Sequence, residues 1–367
     1  MRVALFSFAF GILAAAHAVS APVDANRLSY LDEFCDPYYP TQQTARLITP
    51  QWAGSKDIDV VVLLAIDDMS GHEQYENYLR PILERLKKID GRAPVSIMSN
   101  RPNPKEPHLQ KWLKEGLTIE THTFNHPCPL LKSGDFQKAS TEFFSCVDRL
   151  ATIPNWSPVA YRMTCYDSIN NSNPRFYAEI FNKVSPAGNF VRLSSSMSMI
   201  FTEGDPEQPK GYATDPDGKA RFVKYTSAGS KGSRTWVNYI ENYPYPYVIG
   251  KLCWEFPSQV PDDWQGQNLL GKAHPKIIED MKAAFDATAR KKGVFAPTFH
   301  PYNWIRNDQM IEVIDHAVSK LGKRMIALNF LEIEQRLTKH LLAGQPLRHP
   351  KNGQDNGVRL LDLDADG

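Results

Sequence analysis

Asp67 and Asp68 stand side by side directly after the strongest β-branched apolar run of the chain, and His122 and His126 stand four residues apart directly after another strand-like run. Adjacent carboxylates repel each other, and a nearby cation relieves that cost. Taken alone, the Asp pair reads as a cap for the following helix. The two histidines change the balance. Two imidazoles and one carboxylate make a three-ligand set with an open position for water, the arrangement of catalytic zinc or a similar divalent ion. In Thr121-His122-Thr123-Phe124-Asn125-His126-Pro127 the β-branched approach and Pro127 argue for a loop and against a helix face. A single His is ordinarily a satisfied structural residue; this combination puts metal ahead.

Two further residues carry chemistry. Arg162, in Ala160-Tyr161-Arg162-Met163-Thr164, has a side chain suited to pairing with a carboxylate, although a surface position is its default. His300 ends the run Gly293 to Phe299 and is followed by Pro301-Tyr302-Asn303-Trp304. At the far end Asp362, Asp364, Asp366 and Gly367 match D-x-D-x-D-G, the opening of a calcium loop. Its remaining ligands would lie beyond residue 367, so a weak calcium half-site and an acidic solvated tail are equally good readings.

These residues need elements to position them. The run Ile58 to Ile66 has buried-strand character, and Tyr75 to Ile89 places Tyr75, Tyr78, Leu79, Ile82, Leu83 and Leu86 at helical spacing. The alternation continues with strands Pro94 to Met98, Leu117 to Thr121, Gly293 to Phe299 and Met325 to Leu328. Helices are expected over His108 to Glu115, Phe136 to Ala151, His274 to Lys291, Asp308 to Lys320 and Phe330 to Leu342. Strand and helix in alternation imply an α/β fold with a parallel sheet, and this length allows closure into a barrel whose reactive groups follow the strands. The Tyr- and Gly-rich region Ser185 to Pro246 reads as an insertion or a set of loops and hairpins.

The 367 residues are 42% hydrophobic and 23% charged, with a formal net charge of +1. A disordered polyelectrolyte and a multi-span membrane protein are excluded, and no general field draws nucleic acid or anionic lipid. Residues 1–18, with Arg2, an apolar stretch and Ala16-His17-Ala18, read as a signal peptide, leaving no integral membrane segment in the mature chain. A secreted or periplasmic location follows. Export permits disulfides among the five Cys, whose connectivity cannot be read from spacing. Residues 19–57 form an N-terminal extension, 58–342 a single catalytic domain, and 343–367 a linker with the truncated start of a calcium-loop repeat.

The ordered set Ala65-Ile66-Asp67-Asp68, His122-Thr123-Phe124-Asn125-His126, Arg162 and Phe299-His300-Pro301 resembles the polysaccharide deacetylases, the NodB-homology domain of carbohydrate esterase family 4. The resemblance implies a distorted (β/α) barrel and one divalent metal, zinc favoured. It implies a polysaccharide or oligosaccharide substrate that loses acetyl groups, N-linked in preference to O-linked. It also implies that Asp67 is the general base, that Asp68, His122 and His126 are metal ligands, that Arg162 orients Asp67, and that His300 is the general acid. Where that family has R-x-P-[YF], this chain has Arg162-Met163-Thr164-Cys165, with a main-chain N–H near Cys165 as the oxyanion donor. An Asp-Trp pair supporting the His has two candidates, Trp254-Glu255 and Asp262-Asp263-Trp264; Asp263 and Trp264 are preferred, with Trp304 as a further substrate contact. The C-terminal end resembles the start of an FG-GAP-type repeat. The competing reading is a glycan-binding barrel without catalysis, in which Tyr239, Tyr243, Tyr245, Tyr247, Trp254 and Trp304 stack on sugar rings.

Overall fold

The computed structural model of the chain describes residues 56–128, 130–131, 134–165, 173–227 and 239–360. The signal peptide, nearly all of the N-terminal extension, and Asp362, Asp364 and Asp366 of the calcium reading lie outside the described residues.

Fourteen strands are described: β1 (Val60–Val62), β2 (Leu64–Met69), β3 (Val95–Ser99), β4 (Thr118–Thr121), β5 (Ala160–Tyr161), β6 (Leu193–Ser194), β7 (Ser198–Ile200), β8 (Tyr239–Glu241), β9 (Tyr247–Ile249), β10 (Cys253–Glu255), β11 (Ser258–Gln259), β12 (Val294–Phe295), β13 (Thr298–Phe299) and β14 (Met325–Ala327). The main sheet has the order β13-β2-β3-β4-β5-β6-β10-β9 and is parallel except for β9. A parallel sheet β12-β1-β14 continues it through the breaks before β2 and β13, and a third sheet, β11-β7-β8, joins it where Gln259 of β11 bridges Pro297. Together with the helices this is a distorted (β/α) barrel. Its central strands β2, β3 and β4 are buried along nearly their whole length, polar residues included, because both faces are covered.

Two expected strands are each split in two. Ile58 to Ile66 breaks at Leu63 into β1 and β2, and Gly293 to Phe299 breaks at Ala296-Pro297 into β12 and β13. Pro297 has no N–H to give a ladder, and it pairs only as an isolated parallel bridge with Gln259. The breaks fall side by side: β1 pairs with β12 through Val61 and Val294, and β2 pairs with β13 through Ala65 and Thr298.

Helices cover the outside. His72–Asp90 buries Tyr75, Tyr78, Leu79, Ile82, Leu83 and Leu86, the stripe seen in its spacing, and stops at Gly91 with φ 71°. Burying a side chain of this size stabilises by about 1.5–3 kcal/mol, so truncating Leu79 to Ala would cost about 2–5 kcal/mol.

Two regions differ from expectation. The supposed insertion Ser185 to Pro246 contributes β6 to the middle of the main sheet, between β5 and β10. A two-residue strand leaves no periodic pattern to detect. The segment after Leu342, read as linker, packs on the barrel through buried Leu347 and Arg348. The Arg348 guanidinium donates to the carbonyls of Phe181, Asn182, Lys183, Val191 and Gly353, which satisfies acceptors left open where the helical turn Tyr177–Phe181 ends. Gly353 sits at φ 67° with Phe190 2.7 Å from where a Cβ would be, so no larger residue fits beneath that Arg.

Candidate active site

The sequence-selected residues converge at the C-terminal ends of neighbouring strands. Asp67 and Asp68 lie near the C-terminal end of β2, His122 follows β4, Arg162 follows β5, and His300 follows β13. His126 Nε2 lies 3.1 Å and His122 Nε2 3.4 Å from the same oxygen, Oδ1 of Asp68. These three residues offer ligand atoms all within 4.8 Å of one another.

The donor chemistry fits a divalent ion. His122 Nδ1 lies 2.9 Å from the carbonyl of Arg162, which only accepts, so Nδ1 carries the proton and Nε2 presents its lone pair to Asp68 and His126. Asn100 fixes the histidine loop from below, donating to the carbonyls of His122 at 2.8 Å and Thr123 at 3.3 Å. Asp68, Thr123, His126 and Cys165 all have left-handed backbones, with φ of 71°, 63°, 54° and 49°. Such conformations cost about 1–3 kcal/mol each and cluster where geometry is imposed. Burial by itself would raise the Asp68 pKa, but the neighbouring His126 and His300 hold its carboxyl far below the usual range.

Asp67 is nearly sealed, and its Oδ1 accepts from Arg162 Nη1 at 2.8 Å. Arg162 is itself pinned: Nε donates to the Ser195 carbonyl and Nη2 to Ser195 Oγ, each at 2.8 Å. The Tyr75 hydroxyl donates to the Asp67 carbonyl from the adjacent helix. Ser195 follows β6, inside the region that looked like an insertion, and nothing in its sequence context marked it.

On the other flank His300 Nε2 lies 3.7 Å from Asp68 Oδ2. Asp263, fully buried, accepts from the His300 main-chain N–H at 2.7 Å and pairs with Nδ1 at 2.7 Å. Burial by itself would lower the His300 pKa; the Asp263 carboxylate, with Asp68 and Asp67, outweighs it and pushes it up to about 10. Of the two Asp-Trp candidates, Asp263 is the one that meets His300. Glu255 instead accepts from the Ser196 and Met197 N–H groups, and Trp254 is core. Trp304 lies 4.7 Å and Tyr302 5.9 Å from the His300 ring, centroid to centroid, which makes an aromatic wall. Tyr302 was missed; its position two residues after His300 was the available signal. Trp264 is partly buried against the aromatic cluster of Phe143, Tyr161 and Tyr243.

Cys165 forms a disulfide with Cys128, Cα–Cα 5.5 Å, which ties the loop after Arg162 to the loop that carries His122 and His126. Its thiol is therefore not a substrate group, and only its main chain remains available for that role. Tyr243, Tyr245, Tyr247 and Trp254 are all at most 2% exposed, so they cannot stack on sugar, and of the proposed binding platform Tyr239 at 40% exposure and Trp304 remain. Among the described residues no helix is long and apolar enough to cross a membrane.

No protein-family model matches the sequence, and no curated protein does. Solved structures with a similar course include a protein of Mycobacterium smegmatis described as a polysaccharide deacetylase, 16% identical over 82% of this chain and 99% of that one, with a TM-score of 0.49. Others are an allantoinase, 10% identical over 83% of this chain and 96% of that one, TM-score 0.49, and a peptidoglycan deacetylase of Bacillus subtilis, 15% identical over 77% and 96%, TM-score 0.40. At such identities and scores the functional reading rests on the side chains.

Proposed function

We propose that the chain is a metal-dependent deacetylase that hydrolyses acetyl groups, N-linked before O-linked, from an extracellular polysaccharide of the chitin or peptidoglycan type. One observation carries this reading: two buried ion pairs, Arg162–Asp67 and Asp263–His300, flank a single His-His-Asp cluster, with Arg162 reaching in from the end of β5 and His300 from the end of β13.

Asp68, His122 and His126 would hold the ion. When bound, a divalent metal such as zinc supplies Lewis-acid polarisation of a carbonyl and makes water more acidic. Asp67 takes the proton of the attacking water, its carboxylate aimed by Arg162. His300 delivers a proton to the departing amine, which leaves poorly unless protonated. Asp263 holds the imidazole through Nδ1, so that Nε2 carries the transferable proton. A main-chain N–H near Cys165 supports the developing oxyanion. The water O–H and acetyl C–N bonds break, and acetate and a free amino sugar result. An uncharged glycan requires no steering field, in keeping with the near-zero net charge.

The test is acetate release from acetylated chito-oligosaccharides by the purified chain with added zinc. Asp67→Asn and His126→Ala should each reduce it by about 10²-fold or more. Unchanged release in both variants would overturn the reading.

A further inference from the structure

Outside the site above, the described residues contain one more cluster of three metal-ligating side chains: His72, Glu106 and His108. His72 opens the helix that follows β2, and Glu106 is the N-cap of the helix Pro107–Glu115 that follows β3. His72 Nδ1 lies 3.2 Å from Glu106 Oε2, and His108 Nδ1 lies 3.0 Å from Glu106 Oε1. The two imidazoles stack with centroids 5.0 Å apart, and all three ligand atoms fall within 4.8 Å. From the far side Trp112 backs the His108 ring at 5.8 Å, its indole N–H held by Glu76 at 2.7 Å.

We propose that His72, Glu106 and His108 form a second binding site for a divalent transition ion of the zinc class. Ligand atoms about 2.0–2.1 Å from a tetrahedral zinc lie about 3.3 Å from one another. The nitrogen–oxygen separations here, 3.0 and 3.2 Å to the two oxygens of Glu106, are close to that edge, as are the 3.1 and 3.4 Å to the single Oδ1 of Asp68. Two imidazoles and one carboxylate suit zinc, copper or nickel better than magnesium or calcium. Access is open: His72 and His108 side chains are 38% and 31% exposed, and His72 and Glu106 line a shallow cleft with Met69, Ser70 and Gly71.

The placement gives the ion a purpose. It would cross-link the segment after Asp67-Asp68 to the segment after Asn100, the residue that holds the His122 and Thr123 carbonyls. An ion at the rim would thus brace the end of the Asp67-Asp68 strand against the strand end whose Asn100 holds the histidine loop. Two helix N-termini carry partial positive charge at this point, which disfavours a cation, so the rim site is the weaker of the two.

The experiment is zinc binding to the metal-stripped full chain at neutral pH, followed by equilibrium dialysis and metal analysis. The wild type should take up two equivalents in two phases. His126→Ala should lose the tighter phase and keep the weaker one, while His72→Gln, His108→Gln and Glu106→Gln should each weaken the second phase by about tenfold or more and spare the first. Thermal melts would confirm folding, and three separate single variants guard against one that fails. One equivalent in the wild type, or a second phase unchanged in all three rim variants, would overturn the proposal and show a hydrogen-bonded His-Glu-His cluster only. Neither outcome bears on the first site, which His126→Ala reports independently.

Discussion

Asp263 holds both the ring and the main chain of His300, so its two oxygens fix the position and the tautomer of that imidazole together. Asp263→Asn keeps the shape and removes the charge. An amide oxygen can still accept one bond, but the imidazolium is no longer stabilised. The expected result is a fall in kcat of about 10²–10⁴-fold with zinc content unchanged, read by steady-state kinetics beside metal analysis. Arg162→Lys tests the other pair. A lysine has one point charge where the guanidinium serves Asp67 and Ser195 together in a fork, so kcat should drop by about tenfold or more although charge is conserved. Activity equal to wild type would remove Arg162 from its orienting role.

The elements that matter most are short. Strand β6 has two residues, yet the segment it begins supplies Ser195 to Arg162 and Ser196 and Met197 N–H groups to Glu255. The disulfide Cys128–Cys165 acts at the same scale, joining two loops 37 residues apart in sequence. Closing a loop of that length stabilises by about 3–4 kcal/mol on chain-entropy grounds. Replacing both cysteines by Ser should lower stability by up to about that amount in a urea titration, and should loosen zinc at the first site because the histidine loop loses its tie. Stability and zinc affinity unchanged in the double variant would show the bond to be incidental.

Across the whole molecule the interior carries charge that depends on pH. Glu255 is fully buried on β10, and burial, opposed by Ser194, the Ser196 and Met197 N–H groups and Arg162, raises its pKa to about 7. The unfolded chain ionises it near 4.5. A raised folded value means that its contribution to stability is fully present below about pH 4.5 and is lost as pH rises through about 7, a change on the order of 3 kcal/mol. Glu255→Gln keeps an acceptor and removes the titration. Denaturant midpoints from pH 4.5 to 7.5 should therefore fall less steeply in the variant than in the wild type; parallel curves would rule this out.

The alternating elements, and the Asp and His residues proposed for the site, could be picked out in the sequence because each follows a local pattern: β-branched runs make strands, and polar groups at their ends reach the open end of a parallel sheet. The choice of Asp263 over Glu255 as the partner of His300, the Cys128–Cys165 pairing, the anchoring of Arg162 by Ser195 and the docking of Arg348 were decided only by tertiary structure. Each joins residues from about 30 to 170 positions apart, and chain spacing carries no distance information at that range. The same applies to the rim cluster: His72 lies 34 residues before Glu106, and only the parallel pairing of β2 with β3 brings the two helix starts together.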